Sequence, residues 1–386
     1  MNRKFIQFCL LLAALTLAQA TLFGQDGPAT VAAGLESPYK MTMTPAGNLL
    51  VGETGKGANA GRITLVNKTT GAKSVLVSGL PSVSSDESNE SITGMIVRER
   101  TLYALTGEGD VVISGTAPGT QIPNPKVASS PIFSALLAFR FPAELEAITA
   151  PFAMTPQDQL RLANGIDVEL DNGAGAKVTV QMVANFQDVT PDANTIGRAS
   201  HPFGMDFARG NSNFLYIADS GQNKLLRVDV TTGRTRTMAT FPPIPNQGGF
   251  GPPVSDVVPT NVRAYGDQLL MTYLSGFPFT PGASGAYLVN PTTGEWQPFL
   301  TNHTSVMDVL VRESDDNPRP QFWVLEFSAN MLAQPGLPGR LVTYATQTPT
   351  VAQGGLVTPV SMVRDANGDI YVSELATGRI VKVAAK

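Results

Sequence analysis

An internal repeat constrains this chain more than any other feature. A turn followed by an apolar strand recurs as Pro38-Tyr39-Lys40-Met41, Ile92-Thr93-Gly94-Met95 and Pro202-Phe203-Gly204-Met205. It continues less strictly as Pro259-Thr260-Asn261-Val262, Val306-Met307-Asp308-Val309 and Pro359-Val360-Ser361-Met362. After a short polar turn comes a second strand, such as Leu49-Leu50-Val51-Gly52-Glu53 or Ile370-Tyr371-Val372-Ser373-Glu374. Third strands read Arg62-Ile63-Thr64-Leu65-Val66, Lys224-Leu225-Leu226-Arg227-Val228 and Arg379-Ile380-Val381-Lys382-Val383. The turn that leaves them recurs as Thr69-Thr70-Gly71, Thr231-Thr232-Gly233 and Thr292-Thr293-Gly294, with glycine where a three-residue hairpin needs positive φ.

Four-stranded modules repeating at roughly 45 to 60 residues are the spacing of propeller blades. The expected fold is therefore all-β, a six-bladed β-propeller over residues 28–386. A β-sandwich would not repeat in this order. The last module stops after its third strand, and Thr30-Val31-Ala32-Ala33-Gly34-Leu35 resembles Val351-Ala352-Gln353-Gly354-Gly355-Leu356, which closes the module before it. The N-terminal strand is thus predicted to complete the last blade, which joins the ring and removes open sheet edges.

The second module carries an insertion at about 115–175. Its outer strands are expected at Ser134–Arg140 and Val178–Val183, with a helix capped by Thr155, begun at Pro156 and stopped at Gly165. A small cap on the blade edge or on one face is expected, either a flap or a lid.

Arg3 and Lys4, the apolar run Phe5–Leu17 and Ala18-Gln19-Ala20 form a signal peptide over residues 1–20. The expectation is export to the periplasm or the extracellular space, with no integral membrane segment once the signal is removed. Cys9, the only cysteine, lies inside that signal, so the mature chain forms no disulfide. A net charge of −4 without a basic cluster argues against nucleic acid or anionic lipid as partner.

Strands alternate in direction within a blade, so the loops leading into first strands and those joining second to third strands share one face. Thr54–Gly61, Gly107–Pro131, Ser275–Ser284 and Ser328–Gly339 make that face loop-rich and mark it as the binding face. Glu53, Asp219, Glu326 and Glu374 end second strands there. A carboxylate ring suits calcium or a cationic ligand, but we favour a structural role in which each acid accepts N–H bonds within its own blade. Asn261, Asp308 and Ser361 share an axial column with Gly94 and Gly204, and His201 and His303 precede first strands on the same face. The histidines with Asp308 offer metal-type donors, yet no short spacing fixes their geometry, and no metal is assigned. Tyr273, Phe277 and Phe279 lie in or beside a loop stiffened by proline and glycine; the two phenylalanines either face a ligand or fold back over the core.

On Leu274-Ser-Gly-Phe-Pro-Phe-Thr-Pro-Gly-Ala283, followed by Tyr287-Leu-Val289, the chain resembles the ScyD/ScyE family. These are secreted NHL-like propellers named for members encoded beside the enzymes that make the sunscreen pigment scytonemin. Pro202-Phe203-Gly204 before Ala218-Asp219, Val258-Pro259-Thr260, and Val306-Met307-Asp308-Val309 running on to Val324-Leu325-Glu326-Phe327 support the resemblance. It covers about residue 30 to the end and is weakest across 115–175; where relatives often read Asn-Pro-Tyr-Gly, this chain has His201-Pro202-Phe203-Gly204. The resemblance implies a six-bladed propeller and export, and brings no established reaction.

Two functions fit. One is an accessory protein that binds a small molecule, polysaccharide or protein on the loop-rich face. The other is a metal-dependent hydrolase or isomerase like the lactonases built on this fold. Those lactonases place Glu, Asn and Asp ligands where this chain has Tyr39, Thr93, Phe203, Thr260, Met307 and Val360, none of them a carboxylate or amide. No nucleophile elbow or phosphate loop is evident. Binding is favoured over catalysis; no catalytic residue or cofactor is identified. The ligand-binding candidates are His201, Asn261, Tyr273, Phe277, Phe279, His303, Asp308, Glu326 and Ser361.

Overall fold

The computed structural model describes residues 27–84, 89–115, 121–191, 197–314, 317–344 and 348–383. The predicted signal lies outside them. Among the described residues, no helix is long and apolar enough to cross a membrane.

The chain forms a six-bladed β-propeller. Each blade is an antiparallel sheet whose first strand lies nearest the axis: Pro38–Met43, Ile92–Arg98, Pro202–Phe207, Val257–Tyr265, Val306–Ser314 and Pro359–Arg364. Each of these packs against the first strands of both neighbouring blades, and the ring closes between Pro38–Met43 and Pro359–Arg364. The outermost strand of the last blade is Ala29–Ala32. It pairs antiparallel with Arg379–Val383, Thr30 opposite Val381 and Ala32 opposite Ile380. The N-terminal closure expected from the repeat is present.

Blades bury both faces, which is why second strands such as Leu49-Leu50-Val51 are apolar without alternation. Five apolar clusters each fill a gap between two neighbouring blades, and a sixth fills the gap between blades 5 and 6 and extends to residues of blades 1, 3 and 4. With no disulfide available, this burial holds the ring together. Every first strand carries the same irregularity near its start, between Pro38 and Lys40, Ile92 and Gly94, Pro202 and Gly204, Pro259 and Asn261, Val306 and Asp308, and Pro359 and Ser361. A bulge re-aims the side chains on either side of it. Here it gives two successive residues of each first strand different surroundings, and Thr93 and Thr260 thereby reach the next blade.

The insertion in blade 2 is a clasp on the rim. Ala135–Arg140 and Lys177–Asn185 are the blade's third and fourth strands, as expected. Between them Phe152–Ala153 adds in parallel to the outer strand of blade 1, and Val168–Asp171 adds to the outer strand of blade 2. The helix Pro156–Ala163 has the expected capping box between Thr155 and Asp158. Phe152, Met154, Leu162, Val168 and Leu170 join the apolar cluster between blades 1 and 2. Gly79 admits the clasp: its φ is +71°, and a Cβ there would lie 2.0 Å from the Met154 carbonyl oxygen.

Candidate functional site

The bulge builds an axial ring. The residues that follow it, Lys40, Gly94, Gly204, Asn261, Asp308 and Ser361, hold one register position in the six blades. The Lys40 ammonium donates to the Thr260 carbonyl at 3.4 Å, from blade 1 to the opposite blade 4. Asn261 Nδ2 donates to Asp308 Oδ1 at 2.6 Å, and Arg263 clamps both Asp308 oxygens at 3.0 and 2.7 Å while also reaching the Met362 carbonyl. Ser361 Oγ accepts from the Met41 amide at 3.1 Å. Gly204 makes room, since a Cβ there would sit 2.3 Å from Asn261 Oδ1. Buried polar side chains thus line the axis, and Lys40 and Arg263 reach backbone carbonyls of other blades across it.

Lys40 and Arg263 were not anticipated, although Lys40 occupies the same place in its phrase as Asn261 and Asp308 in theirs. Burial lowers the Lys40 pKa to about 7; Asp308 opposes the shift and Arg263 adds to it. The ammonium also lies 4.3 Å above the Phe203 ring. Burial opposes the Arg263 charge, yet Asp308 outweighs it and raises that pKa.

The residues that the bulge turns aside are Tyr39, Thr93, Phe203, Thr260, Met307 and Val360. Thr93 Oγ1 donates to the Pro202 carbonyl and Thr260 Oγ1 to the Val306 carbonyl, each in the next blade. Tyr39, Phe203, Met307 and Val360 lie buried in one apolar cluster.

The strand-end acids belong to their own blades. Glu53 accepts from the Glu36 amide at 2.5 Å and pairs with Arg62. Glu374 accepts from the Val357 amide at 2.8 Å and pairs with Arg379. Asp219 accepts from the amides of His201, Gly221 and Gln222. Glu326 accepts from the Thr304 amide, from Arg340 Nε at 2.6 Å, and bonds His303 Nδ1 at 2.8 Å. Burial pushes the Glu326 carboxyl up, but His303 and Arg340 outweigh it and hold its pKa below the usual value. The other ring nitrogen of His303 meets the Tyr344 hydroxyl at 2.5 Å.

His201 has a different setting. Its Nε2 lies 3.5 Å from Glu90 Oε2, and Glu108 completes a group whose donor atoms all fall within 4.8 Å of one another. Glu90 and Glu108 are each 1 % exposed and His201 4 %. Among the described residues this is the one group of three or more His, Cys, Asp or Glu side chains so arranged. His201, His303 and Asp308 do not gather into a common donor set. Glu90 and Glu108 also went unanticipated. Blade 2 has Thr106 where four other blades carry the strand-end acid; its carboxylates flank that position, Glu90 two residues before the first strand and Glu108 two residues after the second. An acid displaced from an otherwise regular column was the available signal.

Phe203 joins the two centres. Its ring packs edge-on against His201 at 5.5 Å and against Tyr39 at 5.7 Å, with Lys40 over its face. Tyr273 is buried and stacks on Tyr287 at 4.7 Å, and burial raises its pKa. Phe279 folds back into the core, whereas Phe277 remains partly exposed and packs against Phe250 at 5.6 Å.

Two solved glucose dehydrogenases are similar to this chain over 94 % of its length and 100 % of theirs, with TM-scores of 0.51 and 0.52 and identities of 15 % and 13 %. A streptogramin B lyase is similar over 92 % of this chain and 96 % of its own, with a TM-score of 0.46 and 14 % identity. No protein-family model and no curated protein matches the chain. At such identities the likeness establishes the propeller fold, which hosts many unrelated functions.

Proposed function

We propose that the chain is an exported propeller of the ScyD/ScyE type that binds its ligand on the loop-rich face and does not transform it. The observation that carries this reading is where apolar surface is left in water. Of the nine large hydrophobic side chains exposed among the described residues, Ile122, Val127, Phe250, Val254, Leu332 and Leu337 all lie in loops of that one face. Scattered apolar residues need no explanation, but their concentration on one surface marks an interaction site. Phe250, 61 % exposed and edge-on to Phe277, offers rings to a flat apolar surface such as a sugar face or a planar small molecule. The polar axial ring beneath is closed on itself, and its one lysine of lowered pKa is 4 % exposed, so it supports the face rather than acting on a ligand.

A panel of immobilised polysaccharides and planar aromatic compounds tests the proposal. The mature protein is expected to be retained by at least one, and the Phe250→Ser, Phe277→Ser double variant to lose that retention. Retention unchanged in the double variant, or turnover of the retained compound, sinks the reading. Intact mass of the exported protein reads cleavage after Ala20 separately.

A further inference from the structure

We propose that Glu90, Glu108 and His201 form a binding site for one divalent transition-metal ion. Two carboxylates within 4.8 Å of each other, both withdrawn from water, repel strongly at low dielectric. A doubly charged cation bound through a neutral imidazole and both carboxylates relieves that repulsion.

The surroundings hold the donors as outer partners hold metal ligands. The Gly109 amide donates to Glu90 Oε2 at 3.2 Å, and Gln121 Nε2 approaches Glu108 Oε1 at 3.4 Å. Asp219 fixes the His201 backbone through its amide at 3.0 Å, while Phe203 sets the plane of the imidazole. Gly107 keeps the space between the donors open: a Cβ there would lie 2.6 Å from Glu90 Oε2 and 3.4 Å from His201 Nε2. Metal bonds of about 2.0–2.2 Å in a tetrahedral shell separate ligand atoms by roughly 3.4 Å, close to the 3.5 Å between His201 Nε2 and Glu90 Oε2, so movement of the Glu108 carboxylate completes the group. Two oxygens and one nitrogen suit Mn2+, Fe2+ or Zn2+ better than calcium, which takes at least about six oxygens. The three donors come from the lead-ins to the first strands of blades 2 and 3 and from the long Gly107–Pro131 loop. A bound ion therefore ties that loop to two blades.

The test uses mature protein stripped with a chelator and titrated with Mn2+ alone, followed by electron spin resonance. One equivalent is expected to bind, with nuclear modulation from a directly bound imidazole nitrogen that changes when the protein carries 15N-histidine. His201→Gln is expected to abolish the modulation. Glu108→Gln and Gly107→Ala, which keeps all three donors, are each expected to weaken binding by more than about a hundredfold. Failure of the wild-type protein to bind one equivalent at millimolar Mn2+ overturns the proposal whatever the variants do. So does modulation that survives in His201→Gln.

Discussion

The two histidines of the chain stand in parallel positions and differ in what surrounds them. Each lies on the loop-rich face just before a first strand, and each is buried against a carboxylate. His303 belongs to a closed network: Glu326 holds it at 2.8 Å, Arg340 holds Glu326, and Tyr344 takes the second ring nitrogen. His201 lies 3.5 Å from Glu90 with Glu108 beside it, so two acids face one imidazole. In blade 5 the acid keeps the strand-end position it has in blades 1, 3 and 6. In blade 2 that position is Thr106, and the acids have moved off the repeat. Where the repeat is kept in blades 1, 5 and 6, an arginine of the same blade pairs with the acid. Where it breaks, two carboxylates and an imidazole meet across two blades.

Removing the acid should therefore have opposite consequences at the two places. The largest expected effect is at Glu326: Glu326→Ala leaves Arg340 and His303 without their carboxylate and should lose about 3–5 kcal/mol in urea unfolding at pH 7. Because the Glu326 pKa is held low in the fold, its contribution is present above the unfolded carboxylate pKa and is lost as pH falls through the folded value. Glu326→Gln should accordingly flatten the acid limb of stability against pH. Next is Lys40, whose ammonium lies over the Phe203 ring. Unfolded, it stays protonated up to about 10.5; folded, it loses its proton near 7. Between those values the unfolded state holds more protons, so wild-type stability rises with pH. Lys40→Met should gain about 1–4 kcal/mol at pH 6, a gain that shrinks as pH rises above 7. A constant gain would show that lysine burial is not its cause. Glu108→Gln, measured without metal, should change stability by less than about 1 kcal/mol or increase it, because it relieves like-charge repulsion. A loss as large as that of Glu326→Ala would make the blade 2 acids as structural as those of blade 5. Smallest is Phe250→Ser on the loop-rich face, expected within about 0.5 kcal/mol of wild type.

The blade order, the N-terminal closure and the helix of the insertion were legible in the sequence because each rests on local periodicity or capping. The path of the insertion was not. Phe152–Ala153 joins blade 1 by parallel pairing to Lys73–Leu80, a contact between distant segments that no local pattern announces. The structural role of the strand-end acids was readable, since one residue type repeats at one register. Their arginine partners open third strands, so Glu53 faces Arg62 and Glu374 faces Arg379 across the hairpin. Asn261, Asp308 and Ser361 were placed at the axis by the repeat alone. Lys40 shares their column and was overlooked because lysine ordinarily faces water. Glu90 and Glu108 were hidden for a different reason: they meet only when the lead-in and exit loops of blade 2 fold over the start of blade 3.

Anomalous diffraction at the manganese edge, from crystals soaked in Mn2+, tests the contrast between the two histidines most directly. A single strong peak within bonding distance of His201 Nε2 and the Glu90 and Glu108 carboxylates is the predicted map, with nothing beside His303. A peak at Glu326 and His303, or none at His201, would contradict it.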